Sequence, residues 1–294
     1  MSRRVLVLGA SGLVGSHLAA AFREGGWDVT GTYHRNAAPG LVPLDMTDAE
    51  ATRALVAELR PEAVLCPAAE PNVDRCEQQP EETRRINVGG TRSIVEAARA
   101  AGALIAWFSS DYVFDGAAPP YDEDARCNPL NEYGRQKAQC EELVRSAPRH
   151  IVARVSAVYG WEKARKNYVV RLVDRLRQGE RAKAWTDQVL TPTFAPNLGR
   201  VMRELVESGA TGIFHCCGGR PMDRLSFSRL IATTFGLDPL LVDPVTSDEF
   251  QPTPTPRPRD VGMRAEKVRG FVRTPLATPE VGLAAMRDSE CASS

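Results

Sequence analysis

The chain has 294 residues, and its 37 Lys and Arg balance its 37 Asp and Glu. That length suits one large or two modest domains with ample core, and zero net charge favours neither nucleic acid nor a membrane surface as partner. No stretch reaches the ~20 apolar residues of a membrane span. The short run in MSRRVLVLGA, broken by Gly9 and Gly12, is too short to be expected as a signal peptide. The expectation is a soluble, cytoplasmic protein.

Strand-like apolar runs are predicted at 5–9 (VLVLG), 27–33 (WDVTGTY), 63–66 (AVLC), 104–108 (LIAWF) and 151–155 (IVARV). Helical patterns lie between them, including Leu13 to Glu24 and Glu81 to Ala101. Thr47-Asp48-Ala49-Glu50 reads as a capping box opening a helix through Leu59. Continuous apolar strands separated by helices predict an α/β fold, a doubly wound parallel sheet covered on both faces. Beyond about Val158 helices (Asn167 to Gln178, Pro196 to Ser208, Ser226 to Phe235) alternate with short strands (Gly212 to Cys216, Leu241 to Val245), and QPTPTPRPRD (251–260) reads as an extended loop. The expected division is residues 1–157 as nucleotide-binding domain and 158–294 mainly as a smaller substrate-binding region, with elements at about 195–215 returning to the first.

Seven cysteines (66, 76, 127, 140, 216, 217, 291) form no CxxC pair, and an odd count argues against a full disulfide framework, so they are expected as reduced thiols. The four histidines are scattered, and no metal site is expected.

GASGLVG (9–15) joins the first strand to the first helix. Gly9 suits a tight turn, Gly12 lets backbone approach a pyrophosphate, and Gly15 permits close packing of helix on strand. With Ser11, Leu13 and Val14 they form the expected phosphate turn, amides facing the ligand. The second strand ends Gly31-Thr32-Tyr33-His34-Arg35, without the acid that binds the ribose hydroxyls of NAD. Arg35 reads as the partner of a 2′-phosphate or as an exposed loop arginine. The first reading makes NADP(H) the expected cofactor, with NAD(H) as the alternative, and Tyr33 and His34 its neighbours. Asp45 follows the next short strand, where it could meet the adenine amine.

Tyr133 and Lys137 stand four apart, on one face of a helix. A phenol of pKa ~10 is a poor acid near neutrality. A nearby cation is expected to lower that pKa and let Tyr133 hand a proton to a carbonyl oxygen. SSDYVFDG (109–116) closes the strand before it with two hydroxyls and an acid at a sheet's carboxyl edge, where ligands bind.

With GASGLVG, AAEPNVDRCEQQP (68–80), INVGGT (86–91), SSDYVFDG, PLNEYGRQK (129–137), DQVLTPT (187–193) and RPRDV (257–261), the chain resembles the extended short-chain dehydrogenases/reductases. Within them it is similar to the dTDP-4-dehydrorhamnose reductase family, which includes the methionine adenosyltransferase regulatory β-subunit. The resemblance implies a Rossmann fold and an NADPH-dependent reductase of a nucleotide-linked 4-keto-6-deoxy sugar, a homodimer remaining open. It implies Ser110, Tyr133 and Lys137 as catalytic residues. It adds Ala68, Ala69, Glu70, Asn87 and Ser109 to the cofactor contacts, and assigns Asn72, Asp74, Ser110, Asp111, Val113 and Arg257 to the substrate. Asp111 is expected to secure the loop, and Arg257 to grip the nucleotide diphosphate. The chain departs from the family pattern at Ala157 (usually aromatic), Asn72, and Leu190 (usually glycine). A non-catalytic NADP-binding regulatory subunit is the alternative function, and a related epimerase or dehydratase a third.

Overall fold

In the computed structural model, which describes residues 3–290, the first half runs β1 (Arg4–Val7), α1 (Leu13–Glu24), β2 (Asp28–Tyr33), β3 (Leu41–Pro43), α2 (Ala49–Leu59), β4 (Ala63–Cys66), α3 (Val73–Gln78), α4 (Pro80–Arg84), α5 (Gly90–Ala100), β5 (Leu104–Ser110), α6 (Glu132–Arg145) and β6 (His150–Val155). There follow β7 (Val158–Tyr159), α7 (Tyr168–Arg177), β8 (Ala182–Trp185), β9 (Val189–Leu190), β10 (Thr193–Phe194), α8 (Ala195–Glu207), β11 (Gly212–His215), β12 (Met222–Asp223), α9 (Arg224–Thr234), β13 (Val242–Val245), α10 (Glu266–Arg269) and α11 (Pro279–Asp288).

Seven strands form one parallel sheet in the order β11-β6-β5-β4-β1-β2-β3. This is the Rossmann arrangement expected from the sequence, with β11 added beyond β6. β4 and β5 are buried at every position because helices cover both faces. One face packs Val5, Val7, Leu65 and Ala106 against Phe22, Leu198 and Met202. The other packs Leu6, Val64, Ile105 and Trp107 against Val56, Ile94 and Val144. The strand order reverses between β1 and β4, which opens a crevice at their carboxyl ends, where such sheets bind ligands.

The remaining chain builds three two-stranded pieces, β7 with β10, β9 with β12 and β8 with β13. A separate apolar cluster of Tyr159, Val170, Leu190, Phe227, Ile231 and Leu283 lies among them. Among the described residues no helix is long and apolar enough to cross a membrane, and no group of His, Cys, Asp and Glu could hold a metal ion. The six cysteines within these bounds are free; Cys291 lies outside the described residues.

Two local expectations are corrected. The cap of α2 is Asp48, which accepts from the Ala51 amide at 2.9 Å, while Thr47 donates to Asp45 instead. The helix expected over 81–101 is interrupted by a π-helical turn at Arg85–Gly89. Such turns insert a residue without ending the helix and gather at functional sites. Here the turn contains Asn87, buried beneath the segment that carries Glu70.

Candidate active site

Gly9 follows β1 at φ +67°, a conformation open to glycine at no steric cost. A Cβ at Gly15 would sit 2.2 Å from the Gly9 carbonyl oxygen, so α1 can begin this close to the strand only with glycine there. α1 starts at Leu13 with no side-chain cap, leaving its first amides free to meet a ligand. They face a cleft of about 820 Å³ that runs past Arg35, Asp45, Ala68 and Ala69 to Ser110, Tyr133 and Lys137. His34 stands 3.6 Å from Asp45 at its mouth. Arg35 is exposed there and pairs with no carboxylate among the described residues.

At the other end, α6 supplies Tyr133 and Lys137. Its cap is Asn131, whose Oδ1 accepts from the Gly134 amide at 2.9 Å and whose Nδ2 donates to the Pro256 carbonyl. Gly134 lets the helix approach the turn after β5, since a Cβ there would lie 2.2 Å from the Tyr112 carbonyl oxygen. Gln136 donates to Thr83 at 3.0 Å and accepts from Asn87 at 2.8 Å, which ties α6 to the π-helical turn. Lys137 is buried, donates from Nζ to the Phe108 carbonyl at 2.8 Å, and lies 4.4 Å over the Trp107 ring.

Ser110 ends β5 and donates to Asp111 Oδ1 at 2.9 Å, while Asp111 Oδ2 accepts from Ser156 at 2.5 Å. Burial pushes the Asp111 carboxyl up to about 6, against the pull of the two serine hydroxyls. The expected lowering of the Tyr133 pKa is corrected here. Burial raises it, the Ser110 hydroxyl beside it opposes the rise, and the Lys137 ammonium is engaged by the Phe108 carbonyl. At neutral pH Tyr133 is therefore a fully protonated donor.

A strand, a glycine turn, a free helix start and a Ser, Tyr and Lys group thus share one cleft at the carboxyl edge of the sheet. The family model described as RmlD substrate binding domain matches residues 3–290. The chain belongs to that family. The methionine adenosyltransferase 2 subunit beta of Xenopus tropicalis is 33% identical over 283 residues, 93% of this chain and 85% of that one. A probable low-salt glycan biosynthesis reductase of Haloferax volcanii is 31% identical over 288 residues, 95% of this chain and 96% of that one. Among solved structures, the dTDP-4-dehydrorhamnose reductase of Bacillus anthracis, in complex with NADP, is similar with a TM-score of 0.88 and 26% identity, covering 97% of this chain and 99% of that one.

Within this RmlD family fold, most residues singled out from the sequence line the cleft: Gly9, Ser11, Gly12, Leu13, Val14, Gly15, His34, Arg35, Asp45, Ala68, Ala69, Glu70, Ser110, Asp111, Tyr133 and Lys137. Several stand elsewhere. Val113 is sealed in the core, because the 3₁₀ turn at Asp111–Val113 rotates it inward. Ser109 donates its hydroxyl to Glu141 at 2.5 Å, so its side chain serves the buried interior although the residue borders the cleft. Asn87 does not line the cleft; its amide braces the Glu70 backbone. Tyr33 lies outside the lining, and Asn72 is the exposed cap of α3.

Arg257 borders a separate small hollow in the proline-rich segment. Its guanidinium holds Asp74 at 3.1 Å and Thr253 at 2.7 Å, so the two residues assigned to the substrate neutralise each other. Sequence reasoning missed Gln188, Tyr168, Tyr112 and Arg224, all lining the cleft. Tyr112 could have been suspected from its place in SSDYVFDG; it packs edge-on against Tyr133 at 6.1 Å. Gln188 could have been suspected likewise from DQVLTPT; Tyr168 and Arg224 carry no local signal.

Proposed function

We propose that the chain is an NADPH-dependent reductase of a nucleotide-linked 4-keto-6-deoxy sugar. The observation that carries this reading is the convergence of Ser110, Tyr133 and Lys137 in the same cleft as the glycine turn. The residues fit a dinucleotide. Free amides at the start of α1 and the close turn at Gly9 and Gly15 suit a pyrophosphate, and Arg35 suits a 2′-phosphate. The NADP in the Bacillus anthracis reductase supports the same assignment. Residues 158–294 are assigned mainly to the substrate, with α8 and β11 serving the sheet.

A bound reduced nicotinamide supplies the hydride. Tyr133 then gives the proton of its hydroxyl to the substrate's carbonyl oxygen, and Ser110 turns its single hydroxyl hydrogen from Asp111 to that oxygen. Burial lowers the Lys137 pKa, and its ammonium form, 5.7 Å from the Tyr133 ring, stabilises the phenolate left behind. Asp111 accepts the Ser110 hydroxyl before substrate arrives and is itself held by Ser156. A raised pKa suits this division, because Tyr133 stays protonated until the oxygen becomes basic.

A second reading, a cofactor-binding regulatory subunit, is favoured by the likeness to methionine adenosyltransferase 2 subunit beta. Consumption of NADPH with a panel of dTDP-4-keto sugars separates the two. The reductase reading expects turnover that falls ~10²- to 10⁴-fold in Tyr133→Phe while NADPH binding holds. NADPH binding without turnover on any member of the panel would favour the regulatory reading.

A further inference from the structure

Arg224 opens α9 and forms part of the cleft wall contributed by the C-terminal region. Its guanidinium carbon lies 4.3 Å over the Tyr168 ring and 5.9 Å from that of Trp185, and its Nε donates to Gln188 Oε1 at 3.1 Å. Gln188 is itself buried, and its carbonyl accepts from the Arg224 amide at 2.8 Å, so the arginine is seated at two points. Its charge is felt at Asp111 and Tyr112, next to Ser110 and Tyr133. Arg257 and Arg259, on the proline-rich segment, each pair with aspartate. Arg224 pairs with no carboxylate among the described residues. The cleft thus holds an oriented, half-buried cation with no carboxylate in contact, beside the reacting group.

We propose that Arg224 is the anion receptor of the substrate pocket, and that the anion is the diphosphate of the nucleotide-linked sugar. This deepens the reading above and rests on it. A guanidinium binds phosphate oxygens through two parallel N–H bonds, and one already held by a ring and an amide loses little freedom on doing so. Arg257, which the sequence nominates for this task, would first have to release Asp74. A carboxylate on an acidic sugar offers the same oxyanion chemistry, so the test must tell the two sources apart.

The experiment is calorimetric titration of the full-length protein, saturated with NADP⁺, with dTDP, with uncharged thymidine and with glucuronate. The expected result is that dTDP binds, thymidine binds far more weakly, and Arg224→Gln weakens dTDP about ten- to a hundredfold with NADP⁺ affinity unchanged. Arg224→Lys should recover part of the loss, and it stands in if the glutamine variant does not fold. Equal dTDP affinity in native and variant proteins overturns the role of Arg224 while leaving the nucleotide-sugar reading intact. Arg224-dependent binding of glucuronate, with no binding of dTDP, overturns the diphosphate as the anion and the nucleotide-sugar reading with it. If none of the probes binds the native protein, both fail.

Discussion

Removing Glu141 should destabilise the protein through a charge that it now satisfies. Its carboxylate accepts from Arg154 at 2.9 and 2.8 Å and from the Ser109 hydroxyl at 2.5 Å. Arg154 is 2% exposed, and its other contacts are a backbone carbonyl, the Cys127 sulfur and a ring nitrogen of His215. Glu141→Ala therefore leaves a sealed guanidinium with no carboxylate in contact, Glu123 acting on it only at longer range, which typically costs about 3–5 kcal/mol. With an unfolding entropy of ~2.1 cal/mol/K per residue over 294 residues, the melting temperature should fall by roughly 5–8 °C. Ser109 immediately precedes Ser110 on β5, so turnover should fall as well. Thermal unfolding followed by circular dichroism is the assay. A shift below about 2 °C would refute the reasoning, because the arginine would then have another way to satisfy its charge.

Three further outcomes are expected. Arg35→Ala should weaken NADPH about ten- to a hundredfold and leave NADH unchanged in a fluorescence titration, and equal affinities in native and variant proteins would make Arg35 an ordinary loop residue. Asp111, with its pKa near 6 when folded against ~3.9 when unfolded, binds its proton more tightly in the folded state. Its ionisation therefore opposes folding: the penalty is absent below about pH 4, grows between about 4 and 6, and is complete above that, at about 3 kcal/mol. Stability of Asp111→Asn relative to native should rise across that window in urea titrations, and a pH-independent difference would contradict the assignment. Gly15→Ala places a methyl against the Gly9 carbonyl, so it should lower both stability and NADPH affinity; an unchanged melting temperature would show that the turn can open.

The sheet was legible because its strands are buried on both faces and so read as unbroken apolar runs, as in AVLC and LIAWF. The Tyr133 and Lys137 pair was legible from helical spacing, and the glycine turn from its place between a strand and a helix. Alternation along β5 could have separated Ser110 from Ser109, since successive side chains point to opposite faces. What spacing does not carry is burial. The cation near Tyr133 suggested a lowered pKa, yet burial in the packed cleft raises it, with the Ser110 hydroxyl opposing the rise. Arg224 and Gln188 sit far along the chain and meet the site only through tertiary packing. The Arg257 and Asp74 pair joins segments equally remote, so each looked free for substrate when read alone.

The central claim is that hydride leaves a nicotinamide in this cleft for a sugar carbonyl while Tyr133 supplies the proton. Its most direct test uses NADPH carrying deuterium at the transferred position, a dTDP-4-keto sugar, and mass spectrometry of the product. One deuterium should appear at the reduced carbon with native protein, at a rate ~10²- to 10⁴-fold lower with Tyr133→Phe. Tight NADPH binding with no deuterium passed to any sugar of the panel would contradict the claim.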